Sequence, residues 1–191
     1  MDVMQAISDR RSIRKFEDRP VGRDLIEAVL DAAIKAPSGK NAQPWRFIVL
    51  QGSQKNRLVD IMEKRVAAVK QSGFPTGSAE GSARIMRQAP VLVLVFNPYW
   101  TPDEVTDRMS RAMDLVAVQS IGAAIQNMML AATAAGLGSL WICDVLFAEQ
   151  EIAEFVGLKG GLVAAVSLGY PAESPAPRPR KPRDEVTRWM E

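Results

Sequence analysis

Histidine is absent from the 191 residues. The commonest metal ligand and the usual general base are therefore missing. A Ser-His-Asp or Cys-His hydrolase is excluded, and a single cysteine, Cys143, leaves little with which to hold zinc. One cysteine also excludes an intrachain disulfide and fits a reducing compartment. There is no excess of charge of either sign: 24 Lys and Arg against 22 Asp and Glu give a net charge of +2, so the bulk charge does not point to nucleic acid. The N-terminal MDVMQAISDRRS has neither an apolar h-region nor a cleavage signal, and the expected location is the cytoplasm. Any enzymatic chemistry is expected to come from a bound cofactor.

What is present is the balance of a globular domain, 47% hydrophobic and 24% charged. The length suits one domain. Helices are predicted over 2–10, 23–35, 54–71 and, briefly, 83–88 and 149–156, from apolar residues recurring at helical spacing. Strands are predicted at 46–50, 91–96 and within 160–171, with an extended stretch over SLWICDVL (139–146). The run VLVLVF at 91–96 is apolar throughout and predicts a central strand buried on both faces. Segments 72–82 and 97–108 read as loops. No charge occurs from Leu115 to Cys143, yet Gln119, Ser120, Gln126, Asn127 and Thr133 interrupt the stretch and alanine supplies much of its apolar content. It is expected to be a helix buried inside a protein or a dimer rather than in a membrane.

Four segments carry candidate chemistry. Arg10-Arg11-Ser12-Ile13-Arg14-Lys15-Phe16 packs four cations and a hydroxyl into six residues, a donor set that suits a phosphate, although a solvated basic turn would have the same composition. No aromatic platform interleaves these charges as single-stranded nucleic acid would require. Ala36 to Phe47 (APSGKNAQPWRF) places Ser, Asn and Gln before a strand, where they could read the polar edge of a flat heterocycle or simply cap a helix. Gly136-Leu137-Gly138, followed by Ser139 to Cys143, lacks the third glycine of a dinucleotide fingerprint but can present backbone N–H groups to a ligand. The tail after Tyr170 holds five of the twelve prolines and carries Arg178, Arg180 and Lys181 on a stiff, extended arm.

Taken in order, RRSIRKF (10–16), APSGKNAQPWRF (36–47), IGAAIQNMMLAATAAGLGSLWI (121–142) and GYPAESPAPRPRKP (169–182) resemble the nitroreductase family over about residues 2–188. The resemblance implies an α+β, three-layer α/β/α sandwich with a mixed, largely antiparallel sheet, and an intertwined homodimer with FMN at the interface. Residues 1–170 would form the FMN-binding domain, and 171–191 an arm crossing to the partner. It implies that Arg10, Arg11, Ser12 and Arg14 meet the phosphate and flavin edge, and that Pro37, Ser38, Gly39 and Asn41 of the partner face the isoalloxazine. Trp141, Ile142 and Cys143 would present backbone to the flavin N5 side, and Arg178 and Arg180 would reach the phosphate, with the arm carrying a cation to the partner's FMN. Many relatives have an acidic residue or glycine where Cys143 and Asp144 stand.

The implied activity is hydride transfer from NADH or NADPH through FMN to a small electron-poor acceptor by a ping-pong route. It needs no side-chain nucleophile, in keeping with the missing histidine. Other flavin reactions on the same scaffold (reductive dehalogenation, enone or quinone reduction, flavin fragmentation) and a non-enzymatic flavin-binding protein are the alternatives. Neither membrane nor nucleic acid is an expected partner. Segment 72–110, which in such proteins varies and shapes the acceptor pocket, matches nothing specific.

Overall fold

In the computed structural model, residues 1–100 and 108–191 are described. The elements run α1 (Val3–Asp9), α2 (Arg23–Ala33), a 3-10 turn (Gly39–Asn41), β1 (Arg46–Gln51), α3 (Gly52–Gln71), α4 (Ala79–Gln88), β2 (Val91–Asn97), α5 (Arg108–Ala134), β3 (Gly138–Ile142), a second 3-10 turn (Asp144–Ala148), α6 (Glu149–Val156), β4 (Gly161–Gly169) and α7 (Arg183–Val186). The strands form one sheet in the order β1-β2-β4-β3.

Strand β2 explains the architecture. Its seven residues are all buried, and successive side chains go to opposite faces. Val91, Val93 and Val95 pack with Ala164, Val166 and Leu168 of β4 against α2 and α5. Leu92, Leu94 and Phe96 pack on the other side with Leu58, Met62, Met86 and Ile152, from α3, α4 and α6. Two cores on either side of one sheet are the α/β/α sandwich that was expected. All three strand pairings are antiparallel. The parallel component of the expected mixed sheet is, among the described residues, an isolated bridge between Ser12 and Ser139.

That bridge positions the basic segment. The Ile13 N–H donates to Ser139 O at 3.0 Å, and Ile13 lies directly over Gly138, where a Cβ would come within 2.8 Å of Ile13 Cγ1. The second glycine of the Gly-Leu-Gly triplet is thus a packing position that seats Arg10 to Lys15 along β3.

Several predicted boundaries shift. Helix α4 begins at Ala79, inside the segment read as loop, because Ser78 opens it and Ala79, Ala83 and Met86 fall on one buried face. The extended stretch 139–146 is strand only to Ile142 and then tightens into the 3-10 turn. The uncharged helix lies within a longer one: α5 carries Arg108, Arg111 and Asp114 in its first turns. It is long and apolar enough to cross a membrane. However, Ile121, Ala124, Ile125, Met128 and Ala132 are fully buried against the sheet and α2. Residues 101–107 of the loop predicted over 97–108 lie outside the described residues.

Candidate functional site

Two adjoining cavities gather most of the sequence-predicted site residues. The first, about 340 Å³, is lined by Arg10, Arg11, Ser12 and Arg14 on one side and by Pro175 to Arg178 and Arg180 on the other. The tail reaches it by pairing with its own chain. The Glu17 N–H donates to Tyr170 O at 2.9 Å, and the Ala172 N–H donates to Lys15 O at 2.9 Å. One oxygen of Glu173 accepts from the Arg14 and Lys15 backbone N–H groups, at 2.5 and 3.2 Å. Prolines keep the next residues extended, so Arg178 and Arg180 come to face Arg10. Arg178 and Arg180 line this cavity in the single chain.

None of the five guanidiniums in this cavity pairs with a carboxylate among the described residues. Arg11 donates to Ser8 O and Arg10 O, at 2.6 and 2.9 Å, and so ties the segment to the end of α1. Arg14 donates to Ser12 O at 3.0 Å. Five guanidiniums brought together without a paired carboxylate repel one another, and a bound polyanion is the natural compensation.

The second cavity, about 610 Å³, is lined by Leu140 to Asp144 on one wall and by residues of the α4 N-terminus on the other. Arg14 lines both cavities. Trp141 is 37% exposed, and its indole lies over Gly122 of α5. Ile142 is buried in the core. Cys143 is exposed. Its thiol pKa is pushed up, first by partial desolvation and further by the Asp144 carboxylate, against a lowering contact with Trp141. The Asp144 carboxylate accepts from Ser78 Oγ at 2.7 Å and from Ser82 Oγ at 2.5 Å. These three residues and Arg84 were not foreseen as site residues, because Gly- and Ser-rich 72–82 reads as loop. The spacing Ala79, Ala83, Met86 behind a serine is the signal that would have found the helix.

Pro37, Ser38, Gly39 and Asn41 line neither cavity. Their segment lies against α5, where the Gly39 N–H donates to Ser120 Oγ at 3.3 Å and a Cβ on Gly39 would collide with Val116. Lys40, Asn41 and Gln43 all have positive φ, of 52°, 55° and 48°. Ser38 Oγ accepts from the Gln43 N–H at 3.0 Å and holds this turn in shape. Three non-glycine residues in the left-handed region mark a backbone held against its preference, as functional turns often are.

The donor set fits FMN: cations and a hydroxyl sized for a phosphate, beside a larger space walled by an indole and a strand end. Comparison with known proteins bears on this directly. The model of the Nitroreductase family matches residues 7–170. The chain belongs to the nitroreductase family. It is 31% identical over 182 residues to a Methanothermobacter thermautotrophicus protein provisionally named an NADH dehydrogenase/NAD(P)H nitroreductase, covering 93% of this chain and 82% of that one. A crystal structure of a provisionally named nitroreductase from Desulfovibrio desulfuricans in complex with FMN matches with a TM-score of 0.77 and 29% identity, over 100% of this chain and 98% of that one. A BluB-like flavoprotein from Clostridium difficile 630 matches with a TM-score of 0.80 and 28% identity, over 100% of both chains. Nitroreductase-family membership accounts for the order of the four segments along the chain.

Proposed function

We propose that this protein is an FMN-dependent oxidoreductase that passes hydride from NADH or NADPH to a small electron-poor acceptor such as a nitroaromatic or quinone. The observation that carries this reading is the pair of cavities joined at Arg14, one filled with uncompensated guanidiniums and the other walled by Trp141 to Asp144. When bound, FMN supplies the two-electron carrier.

Arg10, Ser12, Arg178 and Arg180 hold the phosphate through charge-assisted hydrogen bonds. Arg11 fixes the segment by its bonds to Ser8 and Arg10 carbonyls. Arg14, which lines both cavities, would place a positive charge beside the ring, and a cation there would favour the negatively charged reduced flavin. Trp141 to Cys143, in the wall of the second cavity, would offer backbone N–H groups to the ring.

Pro37, Ser38, Gly39 and Asn41 complete the site from the partner subunit of a homodimer. That arrangement is supported by their absence from the lining of both cavities of their own chain and by exposed apolar surface on α5. Met113, Leu115 and Val116 of α5 are exposed, as are Val3, Met4 and Ile7 of α1, apolar surface of the kind that a subunit interface covers. The cytoplasm is the proposed location.

Initial rates test the reaction order. Varying NADH or NADPH at several fixed acceptor concentrations should give parallel double-reciprocal lines, since donor and acceptor take turns at one flavin face. Intersecting lines would contradict that scheme. Donor oxidation with no turnover of any nitroaromatic or quinone would favour another flavin reaction. Bound flavin that no nicotinamide reduces would favour a flavin-binding protein.

A further inference from the structure

The ring cavity has two carboxylates in its wall, Glu80 and Asp144. Glu80 is neutralised by Lys70 Nζ at 2.8 Å. Asp144 has no cationic partner among the described residues. Its Oδ2 accepts both serine hydroxyls, Ser78 at 2.7 Å and Ser82 at 2.5 Å. Two O–H donors on one oxygen orient a carboxylate in its charged form but bring no positive charge to it. Burial first and this anion second push the neighbouring Cys143 thiol up.

We propose that Asp144 is a potential-setting residue: an oriented anion with no ion-pair partner among the described residues, in the wall of the ring cavity, that makes the bound flavin harder to reduce, in opposition to Arg14. The proposal rests on the flavin reading above. Reduction by nicotinamide moves a hydride, two electrons with one proton, onto the ring; the nicotinamide gains one positive charge and the ring one negative charge. Arg14 stabilises that added charge and Asp144 disfavours it, so their balance fixes how strongly the reduced protein gives electrons to an acceptor. Ser78 and Ser82 serve this role by holding the carboxylate at the wall. They also pin the α4 N-terminus to the turn after β3, so charge and clamp must be separated experimentally.

Anaerobic redox titration of the FMN-loaded protein separates them. Asp144→Asn keeps the shape and an acceptor oxygen for the serines but removes the charge. It should shift the two-electron equilibrium about tenfold toward the reduced form, a rise of ~30 mV. The double variant Ser78→Ala/Ser82→Ala keeps the charge and should stay at or below the wild-type potential. An unchanged potential in Asp144→Asn would overturn the proposal, and so would an equal rise in both variants, since the clamp rather than the charge would then be responsible. If Asp144→Asn does not retain FMN, the pH dependence of Cys143 alkylation by iodoacetamide in the apo-protein decides. Its inflection should fall relative to wild type, and an unmoved inflection would overturn the proposal. Wild-type protein that takes up no FMN would instead defeat the flavin reading, an outcome visible before any variant is made.

Discussion

Arg10 has the most exposed role in this account, because its guanidinium makes no bond to the protein among the described residues and only a ligand would occupy it. Arg10→Ala should weaken FMN binding to the apo-protein by about 1.5–3 kcal/mol, the range of a charged hydrogen bond, in a fluorescence titration. Unchanged affinity would place Arg10 outside the site. Cys143 has the opposite standing. Its raised pKa keeps it a thiol at neutral pH, and a thiol is a poor nucleophile. Cys143→Ser should therefore keep FMN and most NAD(P)H oxidation; loss of turnover by orders of magnitude with flavin retained would show that sulfur takes part. A third side chain bears on stability alone. Lys55 is 5% exposed, and its Nζ donates to the Met86 and Arg87 carbonyls at 3.2 and 2.6 Å, closing the end of α4. Lys55→Met should cost about 1–3 kcal/mol in denaturant unfolding. Burial, with Arg87 second, lowers the Lys55 pKa from 10.5. Between its folded pKa and 10.5 the unfolded chain binds more protons, so the wild type gains stability as pH rises. The gap to Lys55→Met should widen over that window, and a constant gap would contradict it.

Among the elements, the tail most needed the structure. Its prolines made extension legible, and its cations marked it as a phosphate clip, but neither says which subunit the clip serves. In the single chain Glu173 binds the Arg14 and Lys15 N–H groups and ties the start of the tail to its own basic segment. Beyond Pro182 the chain turns into α7 and ends with Trp189 and Met190 exposed, at 78% and 83%. This last stretch is what we propose crosses to the partner. Two truncations distinguish the halves. Removing 183–191 should weaken the dimer and leave FMN affinity nearly intact, whereas removing 172–191 should lower both. Equal flavin loss in the two truncations would contradict the division. Strand β2 was legible because six apolar residues in succession, Val91 to Phe96, have one stable place in a domain, between two layers. The first turn of helix α4, ahead of the predicted 83–88, was not, because Gly77, Ser78, Gly81 and Ser82 have the composition of a loop, and only packing of Ala79, Ala83 and Met86 makes the segment helical.

The assembled protein depends on α5. One half of that helix is core, buried to Ala132, and the other half is apolar and exposed at Met113, Leu115 and Val116. The long uncharged run in the sequence announced a buried helix without revealing that one chain buries only part of it. The APSGKN turn is the same case: its residue types were legible as a binding segment, but its absence from the lining of both cavities appears only in three dimensions. The dimer proposed above buries the exposed half of α5 and brings that turn to the other subunit's site. Sedimentation at low protein concentration should then show a dimer with no folded monomer; a stable folded monomer that still holds FMN would contradict the shared site. The central claim, that the guanidinium-lined cavity and the cavity beyond Arg14 together hold a flavin that nicotinamide reduces, is tested most directly by loading the protein with FMN and titrating it anaerobically with NADH and NADPH. The expected result is loss of the flavin absorption with one of the two donors and its return on adding a quinone or nitroaromatic. Protein that remains colourless after incubation with FMN, or whose bound flavin neither donor reduces, would contradict it.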